Sequence, residues 1–212
     1  MIKQKQFEEN SVSVGEGEDN ASVMPDGFRE RHDLEQYFFT KNAIDKLISA
    51  LLLAYPEKKE IEEKVCLICA PTLGKALFEQ EGLTVRTLDI DQRFKTAEVP
   101  GFQYFDILDP KLVSESIELV LMDPPFFYIT LEQLCKSIVV ATGGRPNLKV
   151  LVSFMIRDEM KVKSSFEKVG GYHLERTNFE LEYATVKANR WDNYALYSNV
   201  DLPMIKRVKK KK

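Results

Sequence analysis

The sequence predicts an α/β fold in which a mostly parallel sheet of seven strands has helices on both faces and ends in an antiparallel hairpin. Between residues 65 and 169, short apolar runs alternate with segments whose apolar residues recur at helical spacing. This alternation is typical of βαβ units and a parallel sheet. The last two strand-like segments, residues 172–183 and 193–200, follow each other with no predicted helix between them. They are therefore expected to form the terminal antiparallel hairpin.

Each element follows from a local pattern. Thr40 can cap a first helix, which is expected to end before Pro56, and the charged residues 57–64 predict a surface connection. The other strands are predicted at residues 65–70, 84–91, 102–105, 117–122 and 149–154. The other helices are predicted at residues 72–80, 130–142 and 157–169, each with glycine shortly after its end.

Composition and charge divide the chain into three parts. Residues 1–30 are polar and rich in acidic side chains, which predicts a flexible N-terminal segment. Residues 31–203 contain the predicted elements and are expected to form one domain, and residues 204–212 form a basic tail. The net charge of −3 argues against a general affinity for nucleic acid. The tail is expected to be a solvated end, with phosphate contact or a localisation role as the alternative.

The three cysteines predict neither a disulfide framework nor a metal site. Cys66 and Cys69 lie in one predicted strand, and alternation along a strand places their side chains on opposite faces. Buried thiols are therefore expected, together with a reducing compartment. The longest apolar stretch, residues 50–55, is too short to predict a membrane span. These features predict a cytoplasmic protein, with the nucleus as the alternative.

The apolar run at residues 117–122 ends at a candidate site for an amino group. Proline cannot donate to a sheet, so this strand is expected to stop at Asp123, before Pro124 and Pro125. In open α/β sheets, ligands bind beyond the carboxyl ends of the strands. Asp123 and the prolyl carbonyl groups could accept hydrogen bonds from an amino group at that edge. The alternative is a turn that only terminates the strand.

Acidic residues at two other strand ends indicate the class of cofactor. Asp91 is suited to accept from ribose hydroxyl groups, and Asp106 follows the next strand. The turn after the first strand, Ala70-Pro71-Thr72, lacks the glycines that normally bind a pyrophosphate. An adenosine ligand without phosphate fits better, which favours S-adenosylmethionine over NAD. The alternative is that both acids are ordinary loop caps.

These residues also carry a resemblance to a known family. Asp-Pro-Pro-Phe resembles the motif of amino-group methyltransferases, which act on exocyclic amines of bases or on protein side chains. The order of several motifs is similar to a family first labelled probable N6-adenine methyltransferase, which includes the elongation factor 1-alpha lysine methyltransferase (type 1). The matching positions are Gln36, Phe38-Phe39, Ala70-Pro71-Thr72, Asp91, Arg93-Phe94, Phe105-Asp106 and Asp123-Pro124-Pro125-Phe126. The resemblance spans about residues 33–200, and Asn189-Arg190-Trp191 is similar to an Asn-x-aromatic segment there.

The resemblance implies a Rossmann-like class I methyltransferase domain over residues 31–203, with S-adenosyl-L-methionine as cofactor and no metal. Its cofactor-binding residues would be Gln36, Phe38, Phe39, Thr40, Ala70, Pro71, Thr72, Asp91, Arg93, Phe94 and Asp106. Asp123 and the Pro124 carbonyl would orient the amine, with Pro125 and Phe126 completing the catalytic motif. Phe127, Asn189 and Trp191 would contact the substrate. Hairpin-turn roles for Asn189 and Trp191, and core roles for the aromatic residues before Thr40, are the alternatives.

The resemblance favours a protein-lysine N-methyltransferase acting on elongation factor 1-alpha. An N6-adenine methyltransferase on DNA or RNA is the first alternative, and a catalytically silent binding subunit is the second. The lysine enzymes of the family often have tyrosine where this chain has Phe126. The relatives that methylate ribosomal RNA carry Cys/His clusters, and this chain has only three cysteines and two histidines. That difference argues against the RNA branch.

Overall fold

A computed structural model of the chain describes Met24 and residues 28–208. Its helices are α1 (Lys41–Ala54), α2 (Lys58–Lys64), α3 (Pro71–Glu81), α4 (Arg93–Thr96), α5 (Leu131–Ala141) and α6 (Glu159–Gly170). Its strands are β1 (Val65–Ile68), β2 (Arg86–Asp89), β3 (Phe102–Tyr104), β4 (Leu119–Met122), β5 (Lys149–Met155), β6 (Glu175–Arg176) and β7 (Tyr194–Ser198). Short 3-10 helices lie at His32–Leu34, Ile156–Asp158 and Ala188–Asn193.

The strands form one sheet in the order β3-β2-β1-β4-β5-β7-β6. The first five strands of this order are parallel, and β7 is antiparallel to both β5 and β6. All residues of β1 and β4 are buried, as the unbroken apolar runs predicted. The mostly parallel sheet with an antiparallel end is therefore confirmed. The strand order reverses between β1 and β4, and this point is where open α/β sheets bind ligands.

Capping side chains and one close approach fix the helices around the sheet. Thr40 caps α1 by accepting the Ala43 N–H at 3.2 Å, and the helix ends before Pro56 as predicted. In α3, a Cβ on Gly74 would lie 2.3 Å from Thr87 Oγ1 of β2. A glycine is needed here because the helix lies so close to the strand.

Three predictions about irregular segments were wrong. Residues 58–64 form α2, which buries only Ile61 and is supported by Lys64–Glu60 and Lys59–Glu63 ion pairs at helical spacing. Of the segment 172–183, only β6 pairs in the sheet. The two strand-like segments are separated by the 3-10 helix at Ala188–Asn193. The sequence does not reveal α2 because only one of its side chains is buried, and it does not reveal the 3-10 helix because six residues are too few to show a hydrophobic periodicity.

Residues near the predicted domain limits pack on the domain. Phe28 and Phe38 form a second apolar cluster with Phe94 and Val99, apart from the main core. At the other end, Ile205 is buried and Arg207 forms a bridge with Thr177. Residues 1–23, 25–27 and 209–212 lie outside the described residues, and they carry most of the acidic segment and the end of the basic tail.

The cysteine prediction holds for one residue of the pair. Cys66 is fully buried, whereas Cys69 is only half-buried and has a φ of 56°.

In the part of the chain that the structure describes, no helix is both long and apolar enough to cross a membrane.

Candidate active site

A cavity of about 280 Å³ opens at the carboxyl ends of β1, β2 and β4, where the strand order reverses. Its floor comes from residues that follow the strands, and one wall comes from the segment before α1. The lining residues are Asp33, Leu34, Glu35, Gln36, Tyr37, Phe38, Cys69, Pro71, Asp89, Ile90, Phe105, Asp106, Ile107, Leu108, Asp123, Pro124, Pro125, Phe126, Tyr128 and Ile129. The site therefore lies where the topology of the sheet predicts it.

Asp123 lies at one end of this cavity, immediately after β4. Its N–H donates to the Ile68 carbonyl at 3.0 Å, which continues the pairing of β4 with β1 by one residue. The Tyr183 hydroxyl donates to Asp123 Oδ1 at 2.7 Å. Burial raises the pKa of Asp123 to about 7, although Tyr183 and the nearby Ser153 hydroxyl oppose the rise. The carboxylate is thus held in one orientation and titrates near neutral pH.

Aromatic rings surround Asp123. Phe126 is buried, and the Tyr37 ring lies nearly parallel to it with 6.4 Å between ring centroids. Phe154 and Tyr194 hold Phe126 from the other side, at 5.5 and 5.4 Å. Asp123 therefore lies next to a cluster of packed aromatic rings.

Asp89 and Asp106 line the cavity on the side of β2 and β3. Asp89 is the last residue of β2, and its Oδ1 accepts the Asp91 N–H at 2.9 Å. Burial raises the pKa of Asp89 to about 7. Asp106 Oδ1 accepts the Leu108 N–H at 2.8 Å, so this residue also caps its own loop. Both carboxylates keep further acceptor capacity for a ligand.

Asp91 is not in the lining of the cavity. Its carboxylate accepts hydrogen bonds from Arg93 Nη2 at 2.6 Å and from Gln36 Nε2 at 3.0 Å. These bonds hold the pKa of Asp91 below its usual value despite burial. Asp91 and Arg93 therefore fasten the segment before α1 to the turn after β2. The lining position at the end of β2 belongs to Asp89.

The other predicted cofactor residues divide into two groups. Gln36, Phe38, Pro71 and Asp106 line the cavity. Phe39, Thr40, Ala70, Thr72 and Phe94 are buried behind its walls. Phe39 stacks on the Tyr183 ring at 5.4 Å, and Thr40 Oγ1 donates to Glu182 at 2.9 Å. The second group supports the cavity but does not form its surface.

The turn after β1 bends at Cys69 and not at a glycine. The left-handed conformation of Cys69 turns the chain toward α3, where Pro71 is the first helical residue. A non-glycine residue in this conformation is strained, and such strain is often found at ligand-binding turns.

The predicted substrate residues lie outside the cavity lining. Phe127 is 39% exposed, and the Arg157 guanidinium lies 5.6 Å from its ring centroid. Trp191 Nε1 donates to the Tyr183 carbonyl at 3.1 Å, so it braces the backbone that carries the partner of Asp123. Asn189 is exposed in the 3-10 helix before β7.

The charge of the lining is one-sided. Among the described residues that line the cavity, five are acidic and none is basic: Asp33, Glu35, Asp89, Asp106 and Asp123. Within the described ranges, no group of three or more metal-ligating side chains is found. The acidic side chains of the lining therefore favour a cationic ligand over an anionic one.

The family model described as "Probable N6-adenine methyltransferase" matches residues 30–202. The chain belongs to this family. The match covers the sheet, the cavity and the segment before α1, and it confirms the family resemblance seen in the sequence. A comparison with curated proteins gave no match.

The chain is similar to several solved structures at low sequence identity. A TehB-like SAM-dependent methyltransferase from Corynebacterium glutamicum is 17% identical, with a TM-score of 0.51 over 74% of this chain and 85% of that one. A SAM-dependent methyltransferase from Aquifex aeolicus is 15% identical, with a TM-score of 0.41 over 75% and 98%. Phosphoethanolamine N-methyltransferase 2 from Haemonchus contortus, in complex with S-adenosyl-L-methionine, is 15% identical, with a TM-score of 0.44 over 62% and 38%. The first likeness confirms the predicted Rossmann-like methyltransferase fold.

In this member of the N6-adenine methyltransferase family, sequence reasoning missed three lining or supporting residues. Asp89 could have been found, because it ends the apolar run of β2. Tyr183 gave no signal, since it lies in a segment whose irregular path the sequence does not reveal. Glu35, whose carboxylate accepts the Phe127 N–H at 2.8 Å, is one of several acidic residues in a polar stretch, and nothing in the sequence distinguishes it from the others.

Proposed function

We propose that this chain is an S-adenosylmethionine-dependent N-methyltransferase whose acceptor is a lysine side chain of a protein, elongation factor 1-alpha. The observation that carries the proposal is the acidic cavity at the switch point of the sheet, with Asp89 at one end and Asp123 at the other. The family match supports methyl transfer, and the resemblance of the sequence motifs to the elongation factor enzyme suggests the acceptor.

The residues on the β2 side fit the cofactor. S-adenosylmethionine, when bound, supplies an electrophilic methyl group on a positively charged sulfur. Asp89 would accept hydrogen bonds from the ribose hydroxyl groups, and Asp106 would accept from the adenine amino group. Phe38 and Pro71 offer apolar surface between them. The glycine-poor turn at Cys69 suits a ligand that carries no phosphate.

The residues on the β4 side fit an amine acceptor. Methyl transfer needs a neutral nitrogen whose lone pair is aligned with the methyl group. Asp123 Oδ2 and the Pro124 carbonyl would accept the N–H groups of the amine, while Tyr183 holds Oδ1. Phe126 and Tyr37 would enclose the carbon chain. A lysine has a usual pKa of ~10.4 and releases its proton to water before transfer, and Asp123 then stabilises the methylated cation.

Charge favours lysine over a nucleic acid as the acceptor. The described lining of the cavity contains five acidic side chains and no basic one, so it attracts an ammonium group more than a phosphate backbone. The rings of Tyr37 and Phe126, which line the cavity, would add a cation–π attraction of ~0.5–2 kcal/mol for an ammonium group.

A second candidate is the N6-amino group of adenine. The family description and the Asp-Pro-Pro-Phe motif favour it, because Asp123 and the Pro124 carbonyl could bind an exocyclic amine while Phe126 stacks on the base. A silent binding subunit is the remaining alternative. The presence of Asp89 and Asp123 in the cavity argues against it.

The test is methyl transfer from labelled S-adenosylmethionine to purified elongation factor 1-alpha, and separately to DNA and RNA. We expect label in the protein that resists nuclease and that mass spectrometry assigns to a lysine. Asp123→Ala should abolish transfer, whereas Asp45→Ala, at a half-buried position of α1 outside the cavity lining, should have no effect. Label only in nucleic acid would contradict the lysine proposal. Cofactor binding without transfer to any of the three acceptors would favour the silent subunit.

A further inference from the structure

Glu35 lies in an unusual position between the cavity wall and the loop after β4. It follows the 3-10 helix at His32–Leu34 in the left-handed conformation, with a φ of 53°. This conformation directs the side chain inward, and only 9% of the residue is exposed. A buried carboxylate in a strained backbone conformation needs compensating contacts.

Those contacts are consecutive backbone N–H groups of the loop. Glu35 Oε2 accepts the Phe127 N–H at 2.8 Å, and the N–H groups of Phe126 and Tyr128 also interact with the carboxylate. Successive N–H groups that converge in this way form an anion-binding nest. Here the anion is a side chain of the same molecule.

The loop between β4 and α5 has no regular secondary structure to pair its backbone N–H groups. Residues 123–130 lie between β4 and α5 without helix or strand structure, and Pro124 and Pro125 have no N–H to donate. Buried N–H groups outside regular structure require an acceptor from elsewhere. Glu35 supplies one acceptor to the part of the loop that carries Phe126.

The segment that carries Glu35 is itself firmly attached. Gln36 Nε2 donates to Asp91 at 3.0 Å, and the Phe38 N–H donates to Glu30 Oε1 at 2.6 Å. Glu35 therefore connects the loop to a wall that is fixed to the turn after β2. Movement of that wall and movement of the loop are linked through this carboxylate, in addition to the contact between Tyr37 and Phe126.

We propose that Glu35 is a positioning residue that clamps the backbone of residues 126–128 and thereby fixes Phe126 and the Pro124 carbonyl against the acceptor. It does not take up the acceptor proton, because its lone pairs face the amide N–H groups. The clamp itself is independent of the reaction. Only its kinetic consequence rests on the proposed function.

Hydrogen exchange followed by mass spectrometry tests the clamp directly. In Glu35→Gly, which suits the left-handed backbone and so should fold, exchange in fragments covering residues 126–130 should rise roughly tenfold or more. Glu35→Gln keeps a neutral acceptor and should give a smaller rise. Glu98 is a matched control, since it is exposed and has a φ of 54°. Glu98→Gly should leave exchange at residues 126–130 unchanged.

Kinetics with purified elongation factor 1-alpha test the consequence. Glu35→Gly should lower kcat by roughly 10- to 100-fold, with partial recovery in Glu35→Gln, while the Kd for S-adenosylmethionine changes less than about threefold. Unchanged exchange at residues 126–130 in Glu35→Gly would overturn the clamp. Raised exchange with wild-type kcat would overturn its role in positioning. Raised exchange in a protein that methylates no acceptor would leave the clamp standing and refute the proposed function.

Discussion

Replacement of Tyr183 by phenylalanine removes the hydroxyl group that donates to Asp123 Oδ1 at 2.7 Å and leaves the ring in place. Burial already raises the pKa of Asp123 from 3.8 to about 7, and the Tyr183 bond opposes that rise by stabilising the ionised carboxylate. A hydrogen bond to a charged group contributes about 1.5–3 kcal/mol, which corresponds to roughly 1–2 pKa units. The pKa of Asp123 in Tyr183→Phe should therefore lie at roughly 8–9.

The assay is an NMR titration of the aspartate side-chain carboxyl carbons, with Asp123→Asn to assign the signal. Unfolding by urea gives a second measurement with a defined sign. Because the folded pKa of Asp123 exceeds the unfolded one, its contribution to stability is largest below pH ~4 and is lost as pH rises toward 7. The loss in free energy of unfolding caused by Tyr183→Phe should accordingly be larger at pH 8 than at pH 5.

Tyr197→Phe is the matched control for this variant. The Tyr197 hydroxyl is buried and has no hydrogen-bond partner among the described residues. Its removal should leave the pKa of Asp123 unchanged and stabilise the fold or leave it neutral. An unchanged or lowered pKa of Asp123 in Tyr183→Phe would refute the argument that this tyrosine supports the ionised carboxylate.

Three further substitutions test other parts of the site. Cys69→Gly should stabilise the protein by up to about 1 kcal/mol in urea unfolding, because glycine adopts the left-handed conformation without strain. A loss of stability would show that the thiol packing outweighs the strain. Gly74→Ala should destabilise by about 1–3 kcal/mol, since its Cβ would lie 2.3 Å from Thr87 Oγ1, and a gain from helix propensity would contradict the close approach. Asp89→Asn should weaken S-adenosylmethionine binding by roughly 10- to 100-fold in calorimetry, and more than Asp91→Asn does. A larger effect of Asp91→Asn would show that Asp91, and not Asp89, contacts the ribose.

The parallel part of the fold was predictable because its signals are strong and local. A fully buried strand such as β4 appears as an unbroken apolar run, and Asp123 follows it directly before a proline that must end it. The position of Asp123 in the cavity thus follows from residues that are neighbours in the chain. The same holds for Asp106 after β3.

The remaining features depend on contacts between distant residues. Tyr183 and Asp123 are 60 positions apart, and Tyr183 pairs with Phe39 only through an isolated bridge, outside any strand. The choice between Asp89 and Asp91 depends on where β2 stops and on Arg93, which draws the second carboxylate away. Glu35 faces the loop after β4 only because its backbone is left-handed, a conformation that its sequence context does not indicate.

The acidic lining of the cavity also affects the exchange of reagents between catalytic cycles. The proposed methyl donor loses the positive charge on its sulfur when the methyl group is transferred, so the lining attracts the unused form more strongly than the spent one. This preference requires no difference in shape between the two molecules. It weakens when Asp89 and Asp123 become protonated below about pH 7. Inhibition by the spent donor should therefore become relatively stronger in mildly acidic solution.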